Sequence, residues 1–265
     1  MTLREVARRV VPKKVRRRLQ RRPVRMGGLR RVTPVSPDFG VSRGTPVDRH
    51  YIEDFIERHD SRIRGRVLEI GERLYVRERG AFAAREAGDP LPPLRAGVDQ
   101  VDILDLAASN PQATIVADLN DPKAAVPTDA FDCVICTQTL QFVYDVPAAL
   151  RTLRQALKPG GTLLMTVPGI SQIVPVELIQ SPGITGADYP GGRAALLDYW
   201  RFTPSAAERL CSDEFGQDGW KVESFGNVLA AVAFLHGLAA DDLRPGELGH
   251  NDPAYPLLIA ITVFR

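Results

Sequence analysis

The sequence predicts an α/β fold built on a doubly wound, mostly parallel sheet of seven strands, with shortened early helices and a late helical insertion. Short apolar runs alternate with stretches of helical periodicity along the chain, which is typical of a parallel sheet covered by helices on both faces. The apolar run at 66–70 contains Glu69 and is followed at once by Gly71. That order indicates a buried strand that delivers a ligand loop to the carboxyl edge of the sheet.

The composition is that of a globular protein. The chain has 265 residues, of which 44% are hydrophobic and 25% charged, as in ordinary soluble domains. Cys133 and Cys136 have CxxC spacing but lie in an apolar run. Residues three apart in a strand face opposite sides, so core packing is favoured over metal or redox chemistry. No cluster of His and Cys has the spacing of a zinc site, and no metal is predicted.

Charge divides the chain into a basic head and an acidic body. Residues 1–31 contain 13 Lys and Arg and one acid, a net charge of +12; because the whole chain is +2, residues 32–265 carry −10. We predict a basic tail and linker over 1–40 and a folded domain over 41–265. Residues 3–22 have a roughly helical apolar spacing, which suits either a solvated tail or attachment to an anionic membrane surface.

Location and partners follow from the same features. No apolar run of about 18 residues is present, so no transmembrane helix is predicted. The expected location is the cytoplasm, with a peripheral position at the inner membrane face as the alternative. Nucleic acid is an unlikely partner because the head has no aromatic residue for base stacking and the body is acidic. The oligomeric state is not predicted.

The first half of the chain is expected to supply one helix and four strands. Asp48 is predicted to cap a helix at 49–59. Strands are predicted at 66–70, 101–106, 114–117 and 131–136, with a loop at 85–97. The helices between these early strands look short or absent, as the punctuated sequence between them indicates.

The second half continues the alternation. Helices are predicted at 146–157, with the stop signal Lys158-Pro159-Gly160-Gly161, after Thr203 with Pro204 in the first turn, and at 228–238 as a buried insertion. Strands are predicted at 162–167, 221–225 and 257–264. The last strand is expected to be an antiparallel edge partner.

Carboxylates are expected at three of the strand tips. Glu69, Asp105 and Asp118 each lie at or just after the end of a predicted strand. A pyrophosphate ligand favours several glycines and backbone amides, and neither GxGxxG nor GxxxxGK occurs. Carboxylates instead accept hydrogen bonds from hydroxyl and ammonium groups. The tips therefore favour a ligand that carries such groups.

At these residues the chain resembles the class I S-adenosylmethionine-dependent methyltransferases, which have a Rossmann-like fold. The resemblance rests on an ordered set of motifs: Val67-Leu68-Glu69-Ile70-Gly71, Ala117-Asp118-Leu119, Phe131-Asp132-Cys133-Val134-Ile135, Gln141-Phe142-Val143 and Leu157-Lys158-Pro159-Gly160-Gly161-Thr162-Leu163. More narrowly, the arm at 43–49 and the segment at 199–204 are similar to bacterial small-molecule or sugar methyltransferases found beside glycosyltransferases.

The resemblance implies S-adenosylmethionine as the cofactor and assigns roles to seven residues. Glu69 and Gly71 match the first cofactor motif. Asp105 is expected at the ribose hydroxyls, although Asp102 is close in sequence. The remaining residues are expected at the adenine and at the methionyl part: Asp118 and Leu119, and Thr137 and Gln138. Where the family has further glycines this chain has Arg73 and Tyr75, which restricts the backbone and adds bulk at the cofactor.

The catalytic base and the acceptor site are less clearly marked in the sequence. His236, in an apolar stretch before the last strand, and His50, beside the first helix, are candidate bases; the alternatives are a hydrogen-bonded core histidine and an ordinary surface residue. Tyr189, Trp200 and Arg201 are candidate acceptor-binding residues, because aromatic rings and a guanidinium can hold a sugar or an anion. Packing against the following helix is the alternative for Trp200.

The sequence thus predicts an S-adenosylmethionine-dependent methyltransferase, with O-methylation of a small molecule or glycan precursor as the expected reaction. The rival is a catalytically silent methyltransferase-like module that binds a partner protein or a membrane. RNA methylation is a third interpretation, suggested only by the basic head. Thr137-Gln138-Thr139-Leu140 stands where an Asn-Pro-Pro-Tyr-like segment would indicate amine methylation of nucleic acid.

Overall fold

The computed structural model describes residues 27–121, 123–174 and 197–265. Contacts divide the chain into two units, Met1–Thr33 and Pro34–Arg265. The described part of the first unit contains the short 3-10 turn Gly27–Leu29, and the helical head predicted over 3–22 lies outside the described residues. The predicted boundary between residues 40 and 41 stays a prediction.

Seven strands of the second unit form one sheet. They are β1 (Gly65–Ile70), β2 (Val98–Asp105), β3 (Ile115–Val116), β4 (Phe131–Thr137), β5 (Leu157–Pro168), β6 (Trp220–Phe225) and β7 (Leu258–Phe264). The spatial order is β3-β2-β1-β4-β5-β7-β6. Strands β1 to β5 pair in parallel, while β7 runs antiparallel to β5 and β6. The predicted doubly wound, mostly parallel sheet is confirmed.

The position of β7 corrects one prediction. The strand is antiparallel as expected, but it lies between β5 and β6 and leaves β6 at the edge. Its partners include Met165 on β5 and Val222 on β6, both opposite Ile261. Six of its seven residues are buried, and a strand that is apolar on both faces belongs in the interior of a sheet rather than at its edge.

The helices of the second unit flank this sheet. They are α1 (Val47–Glu57), α2 (Ala81–Ala87), α3 (Val146–Ala156), α4 (Pro204–Phe215), α5 (Val228–Leu235) and α6 (Pro245–Leu248). Helix α2 has only seven residues, and residues 106–114 form turns where a second crossover helix would lie, so the predicted shortening is confirmed. In the described parts of the chain no helix is long and apolar enough to cross a membrane.

Two residue patterns predicted to mark the ends of helices have other roles in the structure. Helix α1 begins at Val47 with Pro46 in the cap position, and the Asp48 carboxylate accepts from the N–H of Arg49 at 2.7 Å. The φ of −52° at Pro46 suits a helix start, and the helix begins two residues earlier than predicted. The second signal, residues 158–161, does not stop α3 in a loop. It forms the start of β5, where the pairing register with β4 shifts between Phe131 and Cys133.

The core lies on both faces of the sheet. One cluster joins the strands to α3 and α4, and the other joins them to α1 and α5. Cys133 belongs to the second cluster and Cys136 to the first, and both are buried free thiols. Their CxxC spacing therefore places them on opposite faces, as strand geometry requires. Among the described residues no group of His, Cys, Asp and Glu could hold a metal ion.

An arm before α1 packs on the late insertion. The N–H groups of Val35 and Ser36 donate to the carbonyl of His236 at 2.8 and 3.1 Å, and Pro46 bridges Ala239. The close approach requires glycine at 237, where φ is +66° and an added Cβ would lie 1.9 Å from the Ser36 carbonyl oxygen. The arm is thereby fixed against the residues that follow α5.

Candidate active site

A cavity of about 300 Å³ opens at the carboxyl ends of β1, β2 and β4. The ends of parallel strands meet at this edge, where ligands bind in doubly wound sheets. Every residue predicted to contact the cofactor lines it: Glu69, Gly71, Asp105, Asp118, Leu119, Thr137 and Gln138. Residues that are far apart in sequence are therefore brought together as the motif order predicts.

Glu69 shapes the loop that follows β1. Its carboxylate is 2% exposed and accepts from the backbone N–H groups of Leu74, Tyr75 and Val76 at 3.1, 2.7 and 3.1 Å. Burial raises the pKa of this carboxyl from 4.5 to about 7, although the three N–H donors act to lower it. Glu69 thus lines the cavity, but both of its carboxylate oxygens accept hydrogen bonds from its own loop. Its main role is therefore to hold the loop rather than to contact the cofactor.

Asp105 ties the second strand tip to the first loop. Its carboxylate accepts from the N–H of Ala107 at 2.8 Å and from the amide of Asn110 at 2.6 Å, and the same amide nitrogen donates to the carbonyl of Gly71 at 2.9 Å. Asp102, the neighbouring candidate, pairs with Arg66 at 2.7 Å and does not line the cavity.

Asp118 is the more open of the two aspartates at the cavity. One of its oxygens accepts from the backbone N–H and the side-chain amide of Asn120 at 2.8 and 3.0 Å. The side chain is exposed, and its other oxygen has no partner in the described part of the chain. Asp118 can therefore accept from a ligand without breaking a contact.

Three further polar side chains line the cavity. The Gln138 amide nitrogen and the Tyr75 hydroxyl are buried and have no partner among the described residues, and both line the cavity. Gln138 has a φ of 49°, a left-handed conformation held by its N–H bond to the Thr166 carbonyl at 2.9 Å. The Arg49 guanidinium, 5.4 Å from the Phe82 ring, is the third of these groups. Unpartnered buried polar atoms are costly and indicate a polar ligand here.

A second cavity of about 450 Å³ adjoins the first. The two share a wall made of Arg49, Glu72, Phe82, Arg85, Gln138 and Phe142. The far side of the second cavity includes Asp38 and Phe39 of the arm, Asp48 of α1, and Gln141. The sheet edge thus offers two adjoining spaces, as a reaction between two bound molecules requires.

Neither predicted base lines either cavity. His236 caps the end of α5, where its carbonyl receives the arm, and its Nδ1 is buried without a partner in the described residues. His50 lies 3.4 Å from the Asp54 carboxylate, one helical turn away on α1. The structure brings neither histidine to the strand tips, so both assignments stay predictions that the geometry does not favour.

The predicted acceptor residues are only partly placed at the site. Arg201 lines the second cavity and makes a two-pronged pair with Asp198 at 2.5 and 2.7 Å. Trp200 lies outside both linings and donates from its indole to the Val143 carbonyl at 3.0 Å. It is 38% exposed, so it is not a core residue. Tyr189 lies outside the described residues.

Several lining residues were not predicted. Phe82 and Arg85 come from α2, and Glu72 and Tyr75 from the loop after β1. The loop residues follow Gly71 directly, so proximity to the motif was a usable signal. For α2 no comparable signal exists, because its place at the cavity depends on how the preceding loop folds around Glu69.

A model of the family described as "Methyltransferase domain" matches residues 48–213. No curated protein matches the chain. Similar solved structures include an S-adenosylmethionine-dependent methyltransferase from Mesorhizobium loti (19% identity, 85% of this chain and 100% of that one, TM-score 0.45). Another is from Archaeoglobus fulgidus (13% identity, 82% and 94%, TM-score 0.43). Such identities are too low to carry information on the substrate.

The family match covers nearly all of α1 to α4, and it therefore contains the whole parallel part of the sheet and the whole lining of the first cavity. It confirms the predicted methyltransferase class and, with it, S-adenosylmethionine as the cofactor. Residues 48–213 make up more than half of the 265-residue chain. The protein belongs to the methyltransferase domain family.

Proposed function

We propose that this protein binds S-adenosylmethionine in the first cavity and methylates a hydroxyl group of a small molecule or glycan precursor in the second. The observation that carries the proposal is the convergence of the seven predicted cofactor residues on one cavity. The second cavity, which shares a wall with the first, supplies room for an acceptor. Its volume is within the range of small-molecule sites, about 300–1,000 Å³.

The polar groups of the first cavity fit this cofactor. Asp105 and Asp118 are acceptors for ribose hydroxyls and an adenine amine, respectively. Arg49 can pair with the methionyl carboxylate, and the unpartnered Gln138 amide nitrogen is a second donor for it. Leu119 is 4% exposed and offers an apolar surface to the adenine ring. Glu69 holds the loop against which these groups are arranged.

When bound, the cofactor supplies a methyl group on a positively charged sulfur. The chain's part is then mainly to hold the acceptor oxygen in line with that group, which can provide a large share of the rate enhancement. The wall shared by the two cavities, with Gln138 and Phe142 among its members, is where the two molecules would meet. The acceptor also needs a group to take its proton.

Exposed aromatic rings support a glycan precursor among the acceptors. Tyr144 lies 5.2 Å from Tyr199 and 5.9 Å from Trp200 between ring centroids. All three are at least 38% exposed, and the indole of Trp200 is fixed on Val143, a residue of the first cavity. Aromatic faces of this kind stack on the apolar faces of sugar rings.

The rival, a silent module, rests on Tyr75, which occupies a position of the first loop where the family has glycine. Its ring lines the first cavity and reduces the space there. The ordered structure of the cavity argues against the rival, because three hydrogen bonds to Glu69 hold the loop in place. The Gln138 amide nitrogen and one oxygen of Asp118 also remain available to a ligand in this cavity.

Calorimetric titration with S-adenosylmethionine and S-adenosylhomocysteine tests the proposal. We expect both to bind, and Asp118→Ala to weaken the binding by about tenfold to a hundredfold, the usual value of a hydrogen bond to a charged group. Asp121→Ala is the matched control, since that residue lies three positions on and outside the lining. Absence of heat and of a thermal shift at millimolar ligand would exclude the enzyme and leave the silent module.

A further inference from the structure

The second cavity contains a buried hydrogen-bond acceptor without a donor. Gln141 is 3% exposed and lines this cavity. Its amide nitrogen donates to the Gln138 carbonyl at 2.8 Å, which fixes the orientation of the amide. The other atom, Oε1, has no partner among the described residues. A buried carbonyl of this kind calls for a donor from a ligand.

A second free acceptor lies at the start of α1. The Asp48 side chain is 14% exposed and lines the same cavity. One oxygen accepts from the Arg49 N–H at 2.7 Å. The other is 4.0 Å from the Arg49 guanidinium, beyond hydrogen-bond distance, and accepts from no group in the described chain.

The remaining carboxylates around the cavity are held by hydrogen bonds or ion pairs within the chain. Asp38 accepts from the N–H groups of Gly40 and Ser42, each at 3.1 Å. Glu72 and Glu86 both pair with Arg85. Tyr75 lines the adjoining first cavity. Burial raises the pKa of its hydroxyl to about 12, so this side chain stays neutral. Glu72 and Glu86 each keep one oxygen without a partner in the described chain, but Arg85 neutralises both charges. Among the described acids of this cavity, Asp48 alone combines an unbonded oxygen with the lack of a hydrogen-bonded arginine.

The charge balance of the cavity argues against an anionic ligand. Four carboxylates and three arginines line it. Arg201 is held by Asp198 and Arg85 by Glu72 and Glu86, so their charges are neutralised within the chain. The third guanidinium, that of Arg49, lies 4.0 Å from the Asp48 carboxylate and also belongs to the cofactor cavity. A phosphate or carboxylate group would therefore meet a net negative wall.

Building on the function proposed above, we propose that the second cavity is the acceptor site for a neutral polyhydroxylated molecule. In it, Asp48 is the general base for the reacting hydroxyl and Gln141 accepts from a neighbouring hydroxyl. The acceptor oxygen forms a bond to the methyl carbon as the carbon–sulfur bond breaks and its electron pair stays on sulfur. The hydroxyl proton passes to the free oxygen of Asp48. The products are a methyl ether, a neutral thioether and a protonated carboxyl.

The acidity of Asp48 suits this role. Burial raises the pKa of its carboxyl, against the opposing charge of Arg49. A raised pKa makes the carboxylate a stronger base and brings its ionisation closer to the working pH. His50 and His236 are not needed for the step.

Binding is tested on the full-length protein saturated with S-adenosylhomocysteine. We expect methyl α-D-glucopyranoside or myo-inositol to bind at millimolar concentration, and glucose 6-phosphate to bind at least tenfold more weakly than the neutral probes. Gln141→Leu should lower the affinity for the neutral probes about tenfold and leave the affinity for S-adenosylhomocysteine unchanged. Preference for the phosphate, or no binding of any neutral probe, overturns the acceptor class.

Catalysis is tested with the neutral probe that binds best. Asp48→Asn should lower kcat by at least a hundredfold with KM within threefold, and should remove the rise of kcat with pH through one ionisation. Asp48→Glu should restore part of that pH dependence. Asp54→Asn, which removes the same charge from the same helix but outside both cavities, should leave kcat unchanged. A variant Asp48→Asn with the wild-type pH profile, or a bound probe that is never methylated, overturns the base assignment.

The two levels of inference fail separately. If S-adenosylhomocysteine does not bind the wild-type protein, the proposed function is wrong. If it binds and the neutral probes do not, only the acceptor class and the role of Asp48 are wrong.

Discussion

At the residue scale, one buried carboxylate takes over a task that glycines commonly perform. A ligand loop rich in glycine follows its turns because its backbone is unrestricted. Here Arg73 and Tyr75 restrict the loop, and the Glu69 carboxylate holds it from inside by accepting from three successive N–H groups. The loop is thereby shaped by a hydrogen-bonded anchor rather than by conformational freedom.

The anchor makes stability depend on pH. In the unfolded chain the Glu69 carboxyl loses its proton near 4.5, whereas in the native protein burial raises its pKa to about 7. Between these values the native state binds more protons, so the free energy of unfolding falls as pH rises, by up to about 3 kcal/mol. Urea denaturation of the wild type and of Glu69→Gln between pH 4.5 and 7.5 measures the contribution of Glu69 to the free energy of unfolding, because the glutamine cannot titrate.

The informative quantity is the difference in free energy of unfolding between the wild type and Glu69→Gln at each pH. Other groups titrate in both and cancel when the curves are subtracted. Two curves that run parallel over the whole range would show that Glu69 is ionised at every pH and that its three donors outweigh its burial.

At the scale of elements, the joint between the arm and the late insertion depends on Gly237. Its φ of +66° is unfavourable for other residues, and an alanine Cβ would lie 1.9 Å from the Ser36 carbonyl oxygen. We expect Gly237→Ala to lower the free energy of unfolding by about 2–4 kcal/mol, from strain and the clash together. Gly246→Ala in α6 is the control, since nothing lies within 4 Å of its added Cβ. Equal thermal unfolding of the two variants would refute this account.

A second element-scale prediction concerns the start of α5. The Asn227 side-chain oxygen Oδ1 accepts from the N–H groups of Leu229 and Ala230. The side-chain amide nitrogen donates to the backbone carbonyls of Glu247 and His250, both at 2.7 Å. Asn227→Ala should therefore cost about 2–3 kcal/mol, more than an ordinary cap at about 1 kcal/mol.

Asp145→Ala provides the comparison for that cap. Asp145 caps α3 with one side-chain bond, to the Ala148 N–H at 2.9 Å, and lies on the surface. Chemical denaturation of both variants should rank Asn227→Ala as the more damaging. The reverse order would mean that the bonds linking α5 to α6 and to the segment after it contribute little.

At the scale of the whole molecule, the sequence predicts what local pattern determines. Both ends of β1 and β4 and the start of α4 come within about one residue of their predicted positions, because apolar runs, caps and prolines act locally. The place of β7 between β5 and β6 depends on pairing across some 90 residues of chain and leaves no local signal. The role of Glu69 also leaves no local signal, because its three hydrogen-bond donors are backbone N–H groups that come together only when the loop is folded.

The division of charge is also a property of the whole chain. Residues 1–31 have a net charge of +12 and the remainder −10. We expect the full-length protein to float with vesicles containing phosphatidylserine and not with neutral ones, at about 1 kcal/mol per basic residue near the surface. Raising the ionic strength to about 0.5 M should release it, because the charges are then screened. Equal flotation with neutral vesicles would exclude an electrostatic anchor.

The wall shared by the two cavities has a thermodynamic consequence. Arg49, Phe82, Gln138 and Phe142 each face both spaces, so a shift in any of them on filling one cavity alters the other. Such coupling is reciprocal: the factor by which one ligand changes the affinity of the second is the factor by which the second changes the first. An acceptor that tightens cofactor binding would therefore be retained more firmly by the loaded protein, and a single thermodynamic cycle would yield both numbers.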